Sequence, residues 1–391
     1  MNILWFPRLQ TDIDSLHIVT WRSMTEELIL AGHKVRLVTQ GLAEGFPPGV
    51  IVPLAHWRFP GGRLASLRLF APGLLRRLAR EFQPDVIIFD PFTCWLSGLW
   101  SPEQDDRPLL LTDHRTPSDH PSQGVMASIK TLFRRYIDDQ AWQRVKDDLD
   151  GATVITQYYR QLICARHDIK PERIGIWGSG VGPPFHEMSI NPQPRPETMQ
   201  GQVVLIQHGE WSFNRGLLET LDALALCRRQ DIHFLLLGKG PAESALRSRI
   251  RHLGLSTRVT LHPPVPHSDI PAWLDMADAA IMAYPAGDYW NCNNPIKLME
   301  FLARGKPVIL TDMPGFREVA DSLPGIVWLE QPSPVSIAEA IDTLANGIDA
   351  WQGKGLRSRE LILHTHSWAS QADQLLRFIE ARRADRRTIP P

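Results

Sequence analysis

Two doubly wound α/β domains, each built on a parallel sheet, are predicted by three observations on this sequence. Short apolar runs alternate with amphipathic stretches along the whole chain, the pattern of parallel strands crossed by helices. At 391 residues the chain is long enough for two separate cores. Between its halves, Gly182-Pro183-Pro184-Phe185-His186 opens a stretch rich in Pro, Asn and Gln that reads as a linker.

The elements follow in order. Runs at 2–6, 34–39, 85–90, 108–112, 152–156 and 173–177 are expected strands of a first sheet, and runs at 203–208, 233–238, 259–262, 279–284, 307–311 and 325–329 those of a second. The expected boundaries are a first domain over 1–183, a linker over 184–202 and a second domain over 203–367. The stretch 366–383 reads as helical. Ligands of such sheets bind outside the carboxyl ends of the strands, which in a two-domain chain predicts a site in a central cleft that both domains face.

Composition excludes several functions. Lys and Arg number 42 against 43 Asp and Glu, and neither half carries an excess, so no basic face is expected and nucleic acid is not a partner. Cys94, Cys164, Cys227 and Cys292 lack any paired spacing and read as reduced thiols of a cytoplasmic protein. Met1-Asn2-Ile3-Leu4-Trp5-Phe6-Pro7 has no basic start and breaks its apolar run too early for a signal peptide, and no apolar run reaches the length of a membrane span.

The stretch Asn293-Asn294-Pro295-Ile296-Lys297-Leu298-Met299-Glu300 points to an anion site. A proline at the first helical position after an Asn cap leaves the amides of Ile296 and Lys297 free to meet a diphosphate. Lys297 adds a positive charge, and Glu300 offers a carboxylate to the two hydroxyls of a ribose. Arg215, beside Gly216 at an expected helix start, is a second cation, and the glycine permits close approach of the backbone.

These residues resemble the nucleotide-sugar signature of retaining glycosyltransferases of family 4, which have the GT-B fold. The neighbouring motifs agree in order: His208-Gly209-Glu210-Trp211-Ser212-Phe213-Asn214-Arg215-Gly216, then Leu235-Leu236-Leu237-Gly238-Lys239-Gly240-Pro241, Ala277-Asp278-Ala279, Tyr284-Pro285 and Gly315-Phe316-Arg317-Glu318. The resemblance implies a donor site formed by Gly209, Arg215, Gly216, Val265, Asn294, Ile296, Lys297 and Glu300. In it Glu300 holds the ribose, Lys297 and Arg215 the diphosphate, and the backbone at Val265 the nucleobase. It further implies an acceptor domain at the N-terminus, joined by a C-terminal helix over 368–385, with His114 at its cleft-facing loop beside the transferring sugar. The expected activity is metal-independent transfer of a hexose-type sugar, from a UDP-sugar as first choice, to a hydroxyl of a glycan, a lipid-linked or a small-molecule acceptor. The donor is a substrate and no cofactor is expected; the resemblance implies that no protein nucleophile is used and that the leaving phosphate takes the acceptor proton, so no catalytic base is named.

The chain departs from that pattern at three places. Cys292 stands where relatives often have a glutamate, Glu210 where many have an arginine, and 8–17 where a Gly-Gly loop is usual. The same fold also carries sugar-nucleotide epimerases and phosphorylases, and the departures suit a catalytically silent scaffold subunit as well. Asp12-Ile13-Asp14 and the pairs Asp113-His114 and Asp119-His120 are read as polar loop residues and not as metal ligands. The basic, amphipathic stretch 63–80 is either a helix packed on the sheet or a peripheral contact with an anionic membrane.

Overall fold

The computed structural model describes residues 1–7, 16–41, 45–57, 59, 61–101, 106–117, 125–187 and 194–388, and it divides into two compact units, 1–180 with 368–391, and 181–367. The Asp12-Ile13-Asp14 triplet, Asp119-His120 and nearly all of the 8–17 loop fall outside the described residues.

The first unit is a seven-stranded, all-parallel sheet in the order β3-β2-β1-β4-β5-β6-β7. Its strands are β1 Asn2–Phe6, β2 Lys34–Thr39, β3 Ile51–Pro53, β4 Val86–Phe89, β5 Leu109–His114, β6 Gly151–Val154 and β7 Ile174–Ile176. Central strands such as Val86-Ile87-Ile88-Phe89 are buried on both faces, as a sheet covered by helices on each side requires. β3 is the strand the sequence did not predict. It has three residues and ends in Pro53, a residue that sits in a ladder only at an edge, where β3 lies. The crossovers are α1 Leu16–Leu30, α2 Gly62–Phe82, α3 Val125–Asp147 and α4 Gln157–His167. α2 runs through Pro72 and buries Leu67, Ala71, Leu75 and Leu78 along one face, so the stretch 63–80 does pack on its unit.

The second unit repeats the plan with β8 Val203–Glu210, β9 Ile232–Lys239, β10 Val259–His262, β11 Ala279–Met282, β12 Val308–Thr311 and β13 Ile326–Leu329, all parallel, in the order β10-β9-β8-β11-β12-β13. This is the nucleotide-binding strand order, with its reversal between β8 and β11. Its helices are α5 Leu217–Leu226, α6 Glu243–His252, α7 Ile270–Met276, α8 Asp288–Asn291, α9 Ile296–Ala303, α10 Pro314–Ala320, α11 Pro334–Asn346 and α12 Ile348–Thr365.

The segment expected as a linker contributes to this second core. Phe185 and Met199, with Val181 from the end of the expected first domain, are buried in one cluster with Leu274, Met299 and Phe301. A buried ion pair fixes the same segment: Arg304 Nε donates to Asp275 Oδ1 at 3.0 Å, and its guanidinium also reaches the carbonyls of Phe185 and Glu187. Three apolar side chains with hydrogen-bonded backbone outweigh the prolines that suggested a free tether.

After α12 the chain returns to the first unit as α13 Trp368–Thr388. Gly178 N–H donates to Gln371 at 2.6 Å and Arg382 Nε to the Asp150 carbonyl at 2.9 Å. Gly175 is bare for this docking: a Cβ there would stand 2.4 Å from the Phe378 ring. Among the described residues no helix is long and apolar enough to cross a membrane.

Candidate functional site

The carboxyl ends of β8 and β11, at the reversal of the second sheet, gather most of the residues singled out above. Gly209 sits in β8 with φ of 103°, and a Cβ there would lie 2.1 Å from Lys297 Nζ, so the lysine ammonium rests directly on the bare glycine. Gly216 precedes α5 with φ of 65°, and its missing Cβ would fall 1.8 Å from the carbonyl oxygen of Ala283, just beyond β11. The two glycines have different tasks: one makes room for a charge, the other lets two strand ends close on each other. Gly238 and Gly240 resemble the second case, since a side chain there would strike the backbone of Gly209 and of Trp211.

Arg215 is anchored between aromatic rings. Its Nη1 donates to Tyr284 Oη at 3.0 Å and Nε to Ser212 Oγ at 3.2 Å, and its guanidinium carbon lies 5.5 Å and 5.3 Å from the Tyr284 and Trp290 ring centres. Burial opposes its charge, yet Tyr284 holds its pKa above the usual arginine value. Trp290, at the end of a short helical turn, donates to the Asn214 carbonyl at 3.0 Å and so fixes the loop that carries the arginine.

α9 begins one position later than its sequence suggests. Pro295 occupies the cap with φ of −72° and ψ of 131°, and Ile296 is the first helical residue. The cap therefore offers no side-chain oxygen, and Asn294 lies before it, buried. The amides of Ile296 and Lys297 remain without intrahelical acceptors, as the first amides of any helix do. Lys297 is 3% exposed and its ammonium has no hydrogen bond among the described residues. Burial first, and then Arg215, push its pKa well below the ordinary 10.5, against the pull of Glu300 and Glu210.

Glu300 lies on the same helix and is fully buried, clamped by two histidines. Its Oε1 is 2.6 Å from His267 Nε2, and its Oε2 is 3.0 Å from His208 Nε2, an ion-pair distance without the angles of a hydrogen bond. Burial alone would raise its pKa, but the imidazoles outweigh that and hold the carboxyl down at about 2. Burial also lowers the pKa of His208. Neither histidine was named from sequence as a partner of Glu300. They come from the end of β8 and from the turn after β10, and only the fold brings them to α9. Val265, in that same turn, is partly buried against the core beneath it.

The departures are visible too. Glu210 Oε2 lies 3.7 Å from Arg215 Nη2, so an acid borders the cations. Cys292 is buried at the end of α8.

His114 belongs to the first unit. It is the last residue of β5 and not part of a loop; its side chain is fully buried, Nδ1 lies 2.9 Å from Asp138 Oδ1, and its ring stacks on Trp142 at 3.7 Å. Its Nε2 is buried without a hydrogen-bond partner among the described residues. Next to it, buried Asp113 accepts from Thr153 at 2.6 Å, and Arg115 donates to the carbonyls of Trp177 and Gly178 while lying 3.6 Å over the Trp177 ring. Among the described residues no group of His, Cys, Asp and Glu side chains is placed to hold a metal ion.

Two nucleotide-type parallel sheets, the second ending in buried cations and a clamped carboxylate, define the GT-B class of transferases. A model described as "Glycosyltransferase Family 4" matches residues 19–183, and one described as "Glycosyl transferases group 1" matches residues 202–347. Together they take in most of the chain, which belongs to the family-4 glycosyltransferases of the GT-B fold. Among curated proteins it is similar to the putative teichuronic acid biosynthesis glycosyltransferase TuaH of Bacillus subtilis, at 23% identity over 260 residues; the match spans 64% of this chain and 62% of that protein. Among solved structures it resembles sucrose-phosphate synthase of Thermosynechococcus elongatus (TM-score 0.77, 13% identity, 98% of this chain and 100% of that one). It also resembles Anabaena Alr3699/HepE in complex with UDP-glucose (TM-score 0.72, 14% identity, 97% and 100%). At these identities the two structures bear on the fold alone.

Proposed function

We propose that this chain is a metal-independent, retaining glycosyltransferase that moves a hexose-type sugar from a nucleotide-sugar, a UDP-sugar first, to a hydroxyl of a glycan, a lipid-linked or a small-molecule acceptor. The observation that carries the reading is the buried ammonium of Lys297, without a hydrogen bond, beside Arg215 and the open amides of α9. An unpaired buried cation is costly, and an anion of matching charge removes the cost.

In this reading the bond between the anomeric carbon and the diphosphate oxygen breaks, and the charge that grows on the leaving oxygen is met by Lys297, by Arg215 and by the amides of Ile296 and Lys297. The acceptor oxygen forms the new bond to the anomeric carbon, and its proton passes to the departing phosphate. Two protein cations supply what a divalent ion supplies elsewhere. Glu300 accepts from the ribose hydroxyls; each of its oxygens keeps a free lone pair beside the imidazole it already meets. Gly209 and Gly216 admit the diphosphate to the backbone, Asn294 lines the site, and Val265 meets the base. The first unit takes the acceptor, and His114 offers its unpartnered Nε2 to a sugar hydroxyl after a small local opening.

UDP is the first choice of this proposal; the Anabaena protein of the same fold is itself described in complex with UDP-glucose. We place the chain in the cytoplasm, in peripheral contact with the membrane through the basic face of α2. A second reading, a nucleotide-binding subunit without turnover, is favoured by Glu210 beside Arg215.

A thermal-shift screen against UDP, GDP, ADP, CMP and dTDP, with and without divalent metal, tests the reading. One nucleotide at a hundredfold excess over its Kd is expected to stabilise the chain by about 2.7 kcal/mol, a shift of several degrees, without metal. No response to any nucleotide would sink the donor site, and a response without sugar transfer would favour the silent subunit.

A further inference from the structure

We infer that the first unit docks on an anionic phospholipid bilayer through the N-terminal half of α3, with Phe92 and the exposed face of α2 continuing the same surface. This deepens the membrane contact named above and does not depend on the transfer reaction.

α3 is longer than the sheet it covers. Its 23 residues span roughly 34 Å at the helical rise. The six residues of β5 that precede it span roughly 20 Å. The helix therefore overhangs, and its contacts show where. Ala141, Trp142 and Val145 are buried in its second half, whereas no side chain from 128 to 136 is buried. That half is apolar along one face: Ile129, Leu132, Phe133 and Tyr136 recur at the spacing of a single helical stripe and are 53%, 63%, 45% and 60% exposed. A stripe of this size left in water marks an interaction site.

The charges around the stripe select the partner. Lys130, Arg134 and Arg135 flank it, and no acid occurs from 128 until Asp138. Beyond Phe133 the surface continues to Phe92, whose ring lies 6.3 Å away, just past the carboxyl end of β4. The 3-10 turn Cys94–Leu99 that follows carries Trp95, over which Arg68 of α2 sits at 5.0 Å. α2 then adds Arg76, Arg77 and Arg80 with exposed Leu69 and Leu64, and no acid before Glu81. In a chain of net charge −1, the two stretches 62–80 and 128–137 thus carry bases without acids beside exposed aliphatic and aromatic side chains. An interfacial helix has this composition: apolar side chains enter the acyl boundary while bases meet lipid phosphates. A second copy of the chain would bring like charges together across a twofold interface. Nucleic acid gives no use for Ile129, Leu132 and Leu69.

The test is flotation of the full chain with vesicles of phosphatidylcholine alone and of phosphatidylcholine mixed with phosphatidylglycerol. Binding is expected on the anionic vesicles, weakening as salt rises. The double variant Leu132→Ser with Phe133→Ser is expected to lower binding at least about tenfold, and Lys130→Glu with Arg134→Glu by a similar factor. All four residues are exposed, so circular dichroism should show an unchanged fold. Binding lost in Arg76→Glu with Arg77→Glu but retained by both α3 variants would leave a membrane contact on α2 and overturn the assignment to α3. Absence of binding to anionic vesicles would overturn both, and displacement of the chain from vesicles by a nucleic acid homopolymer would assign the face to nucleic acid instead.

Discussion

Glu300→Gln is expected to weaken binding of a nucleoside diphosphate by about 3 kcal/mol, roughly a hundredfold in Kd, while leaving the second unit folded. A hydrogen bond to a charged group contributes about 1.5–3 kcal/mol, and a ribose presents two hydroxyls to this carboxylate. Alanine at this position would leave a cavity and His267 Nε2 without its hydrogen-bond partner, so a loss of affinity there would mix stability with recognition. Glutamine keeps the shape. A finer readout comes from pairing the substitution with a 2′-deoxy nucleotide: wild type should prefer the ribonucleotide, and the variant should show little preference, because the two changes remove the same contact. Calorimetry giving equal affinity for wild type and variant would remove Glu300 from the site. The pH dependence has a defined sign. Glu300 is held at about 2 against an ordinary 4.5. It therefore contributes stability that is present above about pH 4.5 and is lost as the pH falls towards 2. Unfolding of the glutamine variant should lack that acid-side loss.

How much of this was legible beforehand depends on how local the cause is. The parallel strands could be read because a strand buried on both faces is a run of apolar residues bounded by turn residues, and Val86-Ile87-Ile88-Phe89 or Val308-Ile309-Leu310 leaves no other reading. Ile51–Pro53 could not: three residues make no period, and the proline argues against a ladder. Gly216 stood out for its place beside Arg215 at an expected helix start, and the positive φ and close backbone approach found there account for the glycine. The cap of α9 was misplaced by one residue, since Asn294-Pro295 reads equally as cap and first turn until the backbone angles are known.

The prolines between the halves concealed a contribution to the second core, because the burial of Phe185 and Met199 is decided by α7 and α9 and by nothing adjacent in sequence. The clamp on Glu300 is the clearest case of the same limit. His208 and His267 lie in motifs already singled out, but neither spacing nor composition says that two imidazoles from different strand ends will meet one carboxylate on a helix. His114 shows the same limit: the strand was expected to end at 112 with His114 in the loop beyond, whereas it is the last residue of β5, and its burial under Trp142 depends on α3.

Lys297→Met is expected to raise the stability of the nucleotide-free protein and to abolish most of its response to nucleotide. The two effects have one cause. The side chain is 3% exposed, with its ammonium against Gly209, next to Arg215 and without a hydrogen bond among the described residues, so the folded chain carries most of the desolvation of a charge that nothing nearby offsets in full. Methionine fills a similar volume without that charge, and a gain of about 1–3 kcal/mol in unfolding free energy is expected. The pH dependence separates this cause from better packing. The folded pKa lies well below the unfolded 10.5, so in that window the unfolded chain binds the proton that the folded chain has given up. Wild-type stability attributable to Lys297 thus rises as the pH is raised towards 10.5, and the methionine variant loses that slope. If Lys297 were one half of a surface pair with Glu300, worth a few tenths of a kcal/mol, its removal would destabilise slightly and leave nucleotide affinity unchanged. Denaturant titration across pH, with calorimetry at neutral pH, distinguishes the two: a stabilised variant deaf to nucleotide places the anion at Lys297, and a slightly destabilised one that still binds removes it from there.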